Sequence, residues 1–128
     1  VGMLASFVEQ AGFNPPMITV AIGVDRRLNQ AIEDSNMIGI NILAEEDARL
    51  MKPFNQQDNR SPFDSLELED NEYELPQLAE ALAFLACKIT GKIEGGDHIV
   101  YAAEVVDGVL NDPSRSPMVR VRKNGFQY

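Results

Sequence analysis

The chain contains few of the residues that build reactive centres, and this shortage limits its chemistry. Its 128 residues include one cysteine, Cys87, one histidine, His98, and no tryptophan. A single cysteine excludes an internal disulfide framework and is typical of a reducing cytoplasm. One histidine and one cysteine cannot supply the ligand set of a protein zinc site, so we expect no bound metal. Cys87 lies in an apolar segment, and we expect it to be a buried, inert thiol.

The sequence also lacks the short motifs of several enzyme classes. It contains no glycine-rich dinucleotide motif, no P-loop, no paired CxxC, no HExxH and no serine nucleophile elbow. Without a nucleophile or a metal site, two options remain open. The domain binds a cofactor that carries the chemistry, or it does no chemistry.

Long hydrophobic runs and a positive charge are absent too. No apolar run approaches the roughly 20 residues that a membrane helix needs, and no signal peptide is visible. The net charge of −9 repels phosphate groups, which argues against a nucleic-acid or anionic-membrane partner. A hydrophobic content of 45% is enough for one core, so we expect one domain over residues 1–128. The chain opens at Val1 and not at methionine, as a fragment or a trimmed chain would.

Apolar and β-branched runs predict a small β-barrel with inserted helices. About six strands are expected, joined by hairpin turns at 95–97 and 107–108, with a loop over 9–16. The strands are predicted at 2–8, 17–24, 37–43, 84–94, 98–106 and 119–122. Helical spacing or propensity predicts short helices at 27–34, 45–51 and 75–82, with Pro53 ending the second.

A strand-to-helix junction offers a candidate anion site. Arg26 and Arg27 stand between the strand 17–24 and the helix 27–34, where free backbone N–H groups and two guanidiniums could hold a phosphate. The alternative is a pair of surface arginines at a helix start. Ser6 could offer a hydroxyl to a ligand, and its alternative is an ordinary strand serine.

Two further polar residues have positions that call for a partner. His98 follows a tight turn and starts a strand, so it could orient a substrate or give it a proton, or else bond to backbone. Asn41 lies inside a buried strand, so its amide should be hydrogen-bonded to backbone or to a ligand.

Several segments of the chain, in their order, carry a resemblance to one known protein family. GMLASFVEQAGFNPPMITVAI (2–22) is similar to the family's opening signature of a strand, a double-proline loop and a second strand. GINIL (39–43) resembles a second signature with a central Asn. LAEALAFLACKI (78–89) and GGDHIVYAAEV (95–105) resemble an apolar segment and the Gly-Asp-His element that follows it. RVRKNGFQY (120–128) looks like the ending of a reductase module. Together the segments resemble the flavin reductase family, most closely the reductase module of flavodiiron proteins.

The resemblance implies a mainly β fold, a six-stranded Greek-key split barrel that binds FMN and forms a homodimer with flavin near the interface. The first strand would line the isoalloxazine ring with Leu4, Ala5, Ser6, Phe7 and Val8. The turn after the second strand would hold the ribityl phosphate with Asp25, Arg26 and Arg27. Asn41 and Phe54 would lie near the flavin, and His98 would face the nicotinamide or substrate.

The implied function is transfer of electrons from NAD(P)H to FMN, with FAD as the alternative flavin, and on to an acceptor. A non-catalytic flavin carrier or dimerising module is the alternative from a different class. Three departures from the family are visible. Leu4 stands where Thr or Ser is common, Leu28 and Asn29 stand where many members have Ser or Thr, and the strand expected before Gly2 is absent.

Overall fold

The computed structural model describes residues 1–56 and 60–121, and these form a mainly β fold. Its one α-helix, α1, spans Leu28–Ser35, and two 3-10 helices span Ala48–Asn55 and Pro62–Ser65. Seven strands follow in chain order: β1 Val8–Phe13, β2 Pro16–Gly23, β3 Met37–Ile42, β4 Leu68–Glu69, β5 Gln77–Leu78, β6 Ala83–Ile93 and β7 His98–Leu110. The fold-class prediction is confirmed.

Five strands form one antiparallel sheet in the order β1-β2-β7-β6-β3. Strands β4 and β5 form a separate antiparallel pair. The order places β7 between β2 and β6, so strands far apart in sequence become neighbours. The same pairing fixes where β2 ends, because Gly23 at its last position faces His98 at the first position of β7.

The core forms where the inward faces of these strands meet α1. Burial alternates along β2, with Ile18, Val20 and Ile22 turned inward, as a pleated strand with one buried face requires. They pack with Ile32, Ile38, Cys87, Tyr101 and Ala103. Helix α1 closes over this cluster and ends at Asn36, whose φ of 58° is the left-handed cap that Asn tolerates.

The first strand was predicted too early in the chain. Residues 2–7 are not strand, and the predicted loop 9–16 contains β1 and a two-residue turn, Asn14-Pro15, between Phe13 and Pro16. The polar residues of β1 misled the prediction, because β1 is an edge strand whose side chains are mostly exposed.

Two predicted features of the middle and the end of the chain were also wrong. The helix predicted at 75–82 is absent, because β5 and a turn occupy this stretch and its backbone bonds to other elements. The turn predicted at 107–108 lies inside β7. A Cβ at Gly108 would approach the carbonyl oxygen of Phe84 to 2.9 Å, so this glycine serves close strand approach beside a register shift.

The remaining differences concern the second helix and the last strand. The predicted helix 45–51 is a 3-10 helix displaced to Ala48–Asn55, and Pro53 lies inside it instead of ending it. Residues 119–121 form no strand, and position 122 lies outside the described residues. Within the described part of the chain, no helix has the length and apolar character needed to cross a membrane.

Candidate functional site

Three segments predicted to carry function meet where β2 ends and β7 begins. Gly23 pairs with His98 in the β2–β7 register, and the N–H of Val24 donates to the carbonyl of Asp97 at 3.0 Å. The N–H of Ala21 donates to the carbonyl of Phe7, also at 3.0 Å. The sheet therefore brings the N-terminal segment, the arginine turn and the histidine to one end of the same strand.

The arginine turn is closed by its own backbone. The N–H of Arg26 donates to the carbonyl of Gly23 at 3.0 Å, and Arg27 directly precedes α1. The Arg26 Nε lies 3.8 Å from Asp25 Oδ1, and both side chains are more than half exposed, so this ion pair holds the guanidinium weakly. The guanidinium of Arg27 makes no hydrogen bond or ion pair with a residue that the structure describes.

Two further residues support this turn: Asn29, which the sequence analysis named only as a departure from the family pattern, and Tyr101, which it did not name. The side-chain amide of Asn29 donates to the carbonyl of Gly23 at 2.8 Å, and the hydroxyl of Tyr101 donates to Asn29 Oδ1 at 3.1 Å. Both side chains are buried. A signal was available for Tyr101, because a hydroxyl in a strongly apolar strand must find a partner when it is buried.

His98 is held by two neighbours and stays about 29% exposed. Its Nδ1 lies 2.8 Å from Asp97 Oδ1, and its ring meets the ring of Phe7 edge-on, with centroids 5.7 Å apart. The hydrogen bond with His98 and the charge of its ring lower the pKa of Asp97. When Nδ1–H donates to the carboxylate, Nε2 is the nitrogen left to meet a ligand.

The segment before Phe7 leaves the sheet and runs to an aromatic pair. No backbone hydrogen bond joins Leu4, Ala5 or Ser6 to the described part of the chain, and Ala5 and Ser6 are exposed. Gly2 lies against the edge-on pair of Phe54 and Phe63, where an added Cβ would come within 2.5 Å of the Phe63 ring. The backbone groups of residues 4–6 therefore have no backbone partner within the described part of the chain.

Asn41 lies on β3, separated from β2 by β6 and β7 in the sheet. Its Nδ2 donates to the carbonyl of Pro76 at 2.9 Å, and its Oδ1 accepts from the N–H of Leu78 at 2.8 Å. Its amide thus has backbone partners, one of the two alternatives left open by the sequence. Phe54 lies beside Gly2 of the N-terminal segment. A flavin contact for either residue stays a prediction.

Comparison with known proteins agrees with this architecture. The family model of the flavin reductase like domain matches residues 1–127. Diflavin flavoprotein A 1 of Synechocystis is 33% identical over 129 residues, which cover 98% of this chain and 22% of that protein. The chain thus spans about a fifth of this curated relative.

Solved flavin reductases share the fold. The NADH:FAD oxidoreductase SgcE6 of Streptomyces globisporus superposes with a TM-score of 0.81 at 24% identity, over 90% of this chain and 70% of that one. Flavin reductase PheA2 superposes with a TM-score of 0.77 at 25% identity, over 90% and 72%. The class is therefore a split-barrel domain of the flavin reductase type. The chain belongs to the family of flavin reductase like domains, which supports its assignment as a flavin-dependent oxidoreductase domain.

The residues at the site fit a flavin nucleotide. A flavin offers an anionic phosphate, a ring edge with hydrogen-bond donors and acceptors, and an aromatic face. The exposed guanidiniums of Arg26 and Arg27 match the phosphate. The unbonded backbone groups of residues 4–6 match the ring edge, and the paired rings of Phe7 and His98 offer an aromatic surface beside them.

Proposed function

We propose that this chain is an FMN-binding flavin reductase domain that moves electrons from NAD(P)H to flavin or to a downstream acceptor. The observation that carries the proposal is the meeting of Phe7, the turn of Asp25 to Arg27 and His98 at one end of β2. An anion site, free backbone groups and a partly exposed imidazole are thus adjacent. FMN is preferred to FAD because the relatives are diflavin proteins in which this domain is a small part.

Each part of the site has a role in binding or positioning. Arg26 and Arg27 hold the phosphate, while Leu4, Ala5 and Ser6 fix the ring edge through backbone groups. Phe7 and Val8 border the isoalloxazine ring. Asn41 and Phe54 are proposed as more distant contacts of the flavin. A flavin held by these residues would supply the redox chemistry. The chain itself positions the flavin and the nicotinamide and shields them from water.

His98 orients the nicotinamide or the acceptor. Its Nδ1 is occupied by Asp97 at 2.8 Å, so Nε2 faces the ligand side and can donate or accept one hydrogen bond there. A carboxylate partner fixes both the tautomer and the ring orientation of an imidazole. The role asked of His98 is modest, since a bound flavin would supply the redox chemistry and the imidazole only positions its partner.

A homodimer is part of the proposal. Apolar side chains remain exposed along the last part of the long strand β7, with Val106 at 41% and Leu110 at 58%. Exposed side chains of this size on long strands are what a subunit interface covers. Light scattering coupled to size exclusion tests this directly, and a monomer at micromolar concentration would contradict it.

A non-catalytic flavin carrier is the second candidate. The chain covers 22% of the Synechocystis relative, so the rest of such a protein could supply or receive the electrons. The carrier binds FMN as the reductase does but does not oxidise NAD(P)H. Steady-state NADH and NADPH oxidation with bound FMN therefore separates the two candidates.

The first experiment is a titration of the protein with FMN and with riboflavin, followed by flavin fluorescence. We expect saturable binding near one FMN per subunit and weaker binding of riboflavin, which lacks the phosphate. Arg27→Ala should weaken FMN binding by about tenfold or more, because it removes a charge-assisted contact, and should leave riboflavin unchanged.

Lys88→Ala is the matched control. Lys88 is an exposed cation on β6, so its loss changes the net charge equally without touching the turn. We expect its FMN affinity to equal that of the wild type. Unchanged FMN affinity in Arg27→Ala would contradict the placement of the phosphate at this turn. An equal loss of affinity in both variants would mean that only the net charge of the protein matters, and not a contact with Arg27.

A further inference from the structure

A buried polar pair connects the core to the arginine turn. Tyr101 on β7 is fully buried, and its hydroxyl donates to Oδ1 of Asn29 at 3.1 Å. Asn29, in the first turn of α1, is 9% exposed. Its Nδ2 donates in turn to the carbonyl of Gly23 at 2.8 Å. The two bonds form one chain from the core to the last residue of β2.

Asn29 holds the turn at two points. The carbonyl of Gly23 that accepts from its side chain also accepts from the N–H of Arg26 at 3.0 Å. The backbone N–H of Asn29 donates to the carbonyl of Arg26 at 3.1 Å. Asn29 thus contacts both the beginning and the middle of the turn, and Tyr101 fixes which way its amide points.

Stability of the core does not require this pair. Tyr101 lies in the apolar core with Ile22 and Ile32, where a phenylalanine ring would fill the same space. Burying polar groups costs free energy unless they are paired, and an apolar pair of the same shape is often equally stable. What apolar residues could not do is bond to the carbonyl of Gly23.

We propose that Asn29 and Tyr101 are positioning residues, which hold the Gly23–Arg27 turn so that Arg26 and Arg27 converge on the terminal phosphate of the flavin. The inference rests on the proposed function. Neither side chain touches the ligand. They act through the backbone of the turn, so their loss should weaken the binding of FMN and leave the binding of riboflavin unchanged.

The test compares FMN and riboflavin affinity in Tyr101→Phe, Asn29→Leu and the double variant, with thermal unfolding of each. Tyr101→Phe should weaken FMN binding by about threefold, the size of one lost neutral hydrogen bond, and Asn29→Leu by about tenfold. Riboflavin affinity should stay at the wild-type value in both. Tyr73→Phe, at a tyrosine far along the chain from the turn, is the matched control and should change neither ligand.

The double variant separates positioning from packing. Asn29→Leu alone removes the oxygen that accepts from the Tyr101 hydroxyl, so its melting temperature should fall, and adding Tyr101→Phe should restore part of it. The preference for FMN should stay lost in the double variant. Recovery of the preference together with stability would overturn the inference.

Failure of the proposed function looks different. If the wild type binds FMN no better than riboflavin, the proposed phosphate site at the arginine turn is wrong. The positioning role of Asn29 and Tyr101 is then wrong as well. If the wild type prefers FMN and Asn29→Leu keeps that preference, only the positioning role is overturned.

Discussion

The ring of Phe7 meets the imidazole of His98 edge-on, with centroids 5.7 Å apart and planes at 66°. The two residues are far apart in the chain, and both are tied to β2, which bonds to Phe7 through Ala21 and pairs with His98 through Gly23. This contact ties the N-terminal segment to the histidine. A ligand bound along residues 4–7 would therefore lie beside the imidazole.

His98 is the single histidine of the chain, so its ring gives one set of imidazole resonances in a proton NMR spectrum. Phe7→Leu removes the neighbouring aromatic ring and should move these resonances toward random-coil positions. FMN should also move them in the wild type, because the proposed flavin site borders the imidazole. Chemical shifts that do not change at saturating FMN would mean that the flavin binds away from His98.

His98→Gln should lower NAD(P)H oxidation by about tenfold while FMN affinity changes little, since the imidazole is assigned to the nicotinamide or acceptor. Asp97→Asn is the companion variant, because it removes the carboxylate that orients Nδ1. We expect its turnover to lie between those of wild type and His98→Gln. Loss of FMN affinity with unchanged turnover of the bound enzyme would assign His98 to flavin binding.

The sequence predicted elements whose pattern was local and failed where distant contacts decide. Strands β2, β3, β6 and β7 and helix α1 follow from apolar runs and helical spacing, because the residues that shape them lie within each element. At 75–82 the helical spacing was real, but Asn41 and Asn111 bond to the backbone there and hold it extended or turned. No local window contains those partners.

In the candidate site too, features set by local sequence could be predicted and features set by distant contacts could not. The arginine turn could be predicted because a strand followed by a helix is visible in the sequence. The meeting of Phe7 with His98 needed the β1-β2-β7 order, which depends on pairing between residues 17–23 and residues 98–104. The Asn29–Tyr101 bond, across 72 positions, was missed for the same reason.

A cluster of ion pairs should make stability depend on acid pH. Arg115 donates to Glu46 at 2.7 Å and also contacts Asp47, and Arg49 bonds to Glu80. These bonds lower the pKa values of Glu46 and Glu80. A carboxyl with a lowered folded pKa stabilises the fold above the ordinary glutamate value, about 4.3. That contribution is lost as pH falls through the folded pKa.

The measurement is the melting temperature from pH 6 down to pH 3, for the wild type, Arg115→Ala and Arg49→Ala. The wild type should lose stability more steeply below about pH 4.3 than either variant, because each variant has already lost one of the pairs. Lys88→Ala controls for net charge and should follow the wild type. Parallel curves for all four proteins would contradict a role for these pairs.

Cys87 should be unreactive in the folded protein. Its side chain is fully buried on β6, and burial raises the pKa of its thiol to about 11. Thiolate is the reactive form, so little is present at pH 8. Ellman's reagent should label one thiol per chain only after denaturant is added. Rapid labelling of the native protein would show that the core around β6 opens readily.

Asn41→Ala should cost stability, because both ends of its amide bond to the backbone of another segment. Loss of the bonds to Pro76 and Leu78 leaves a partly buried carbonyl and N–H without partners, which should lower the free energy of unfolding by about 1–3 kcal/mol. Asn55→Ala, at an exposed asparagine, is the control and should cost little. FMN affinity, measured where both variants are folded, then tests the sequence-based prediction of a flavin contact. A loss in Asn41→Ala at unchanged stability would mean that the amide serves the flavin and not the 75–82 segment.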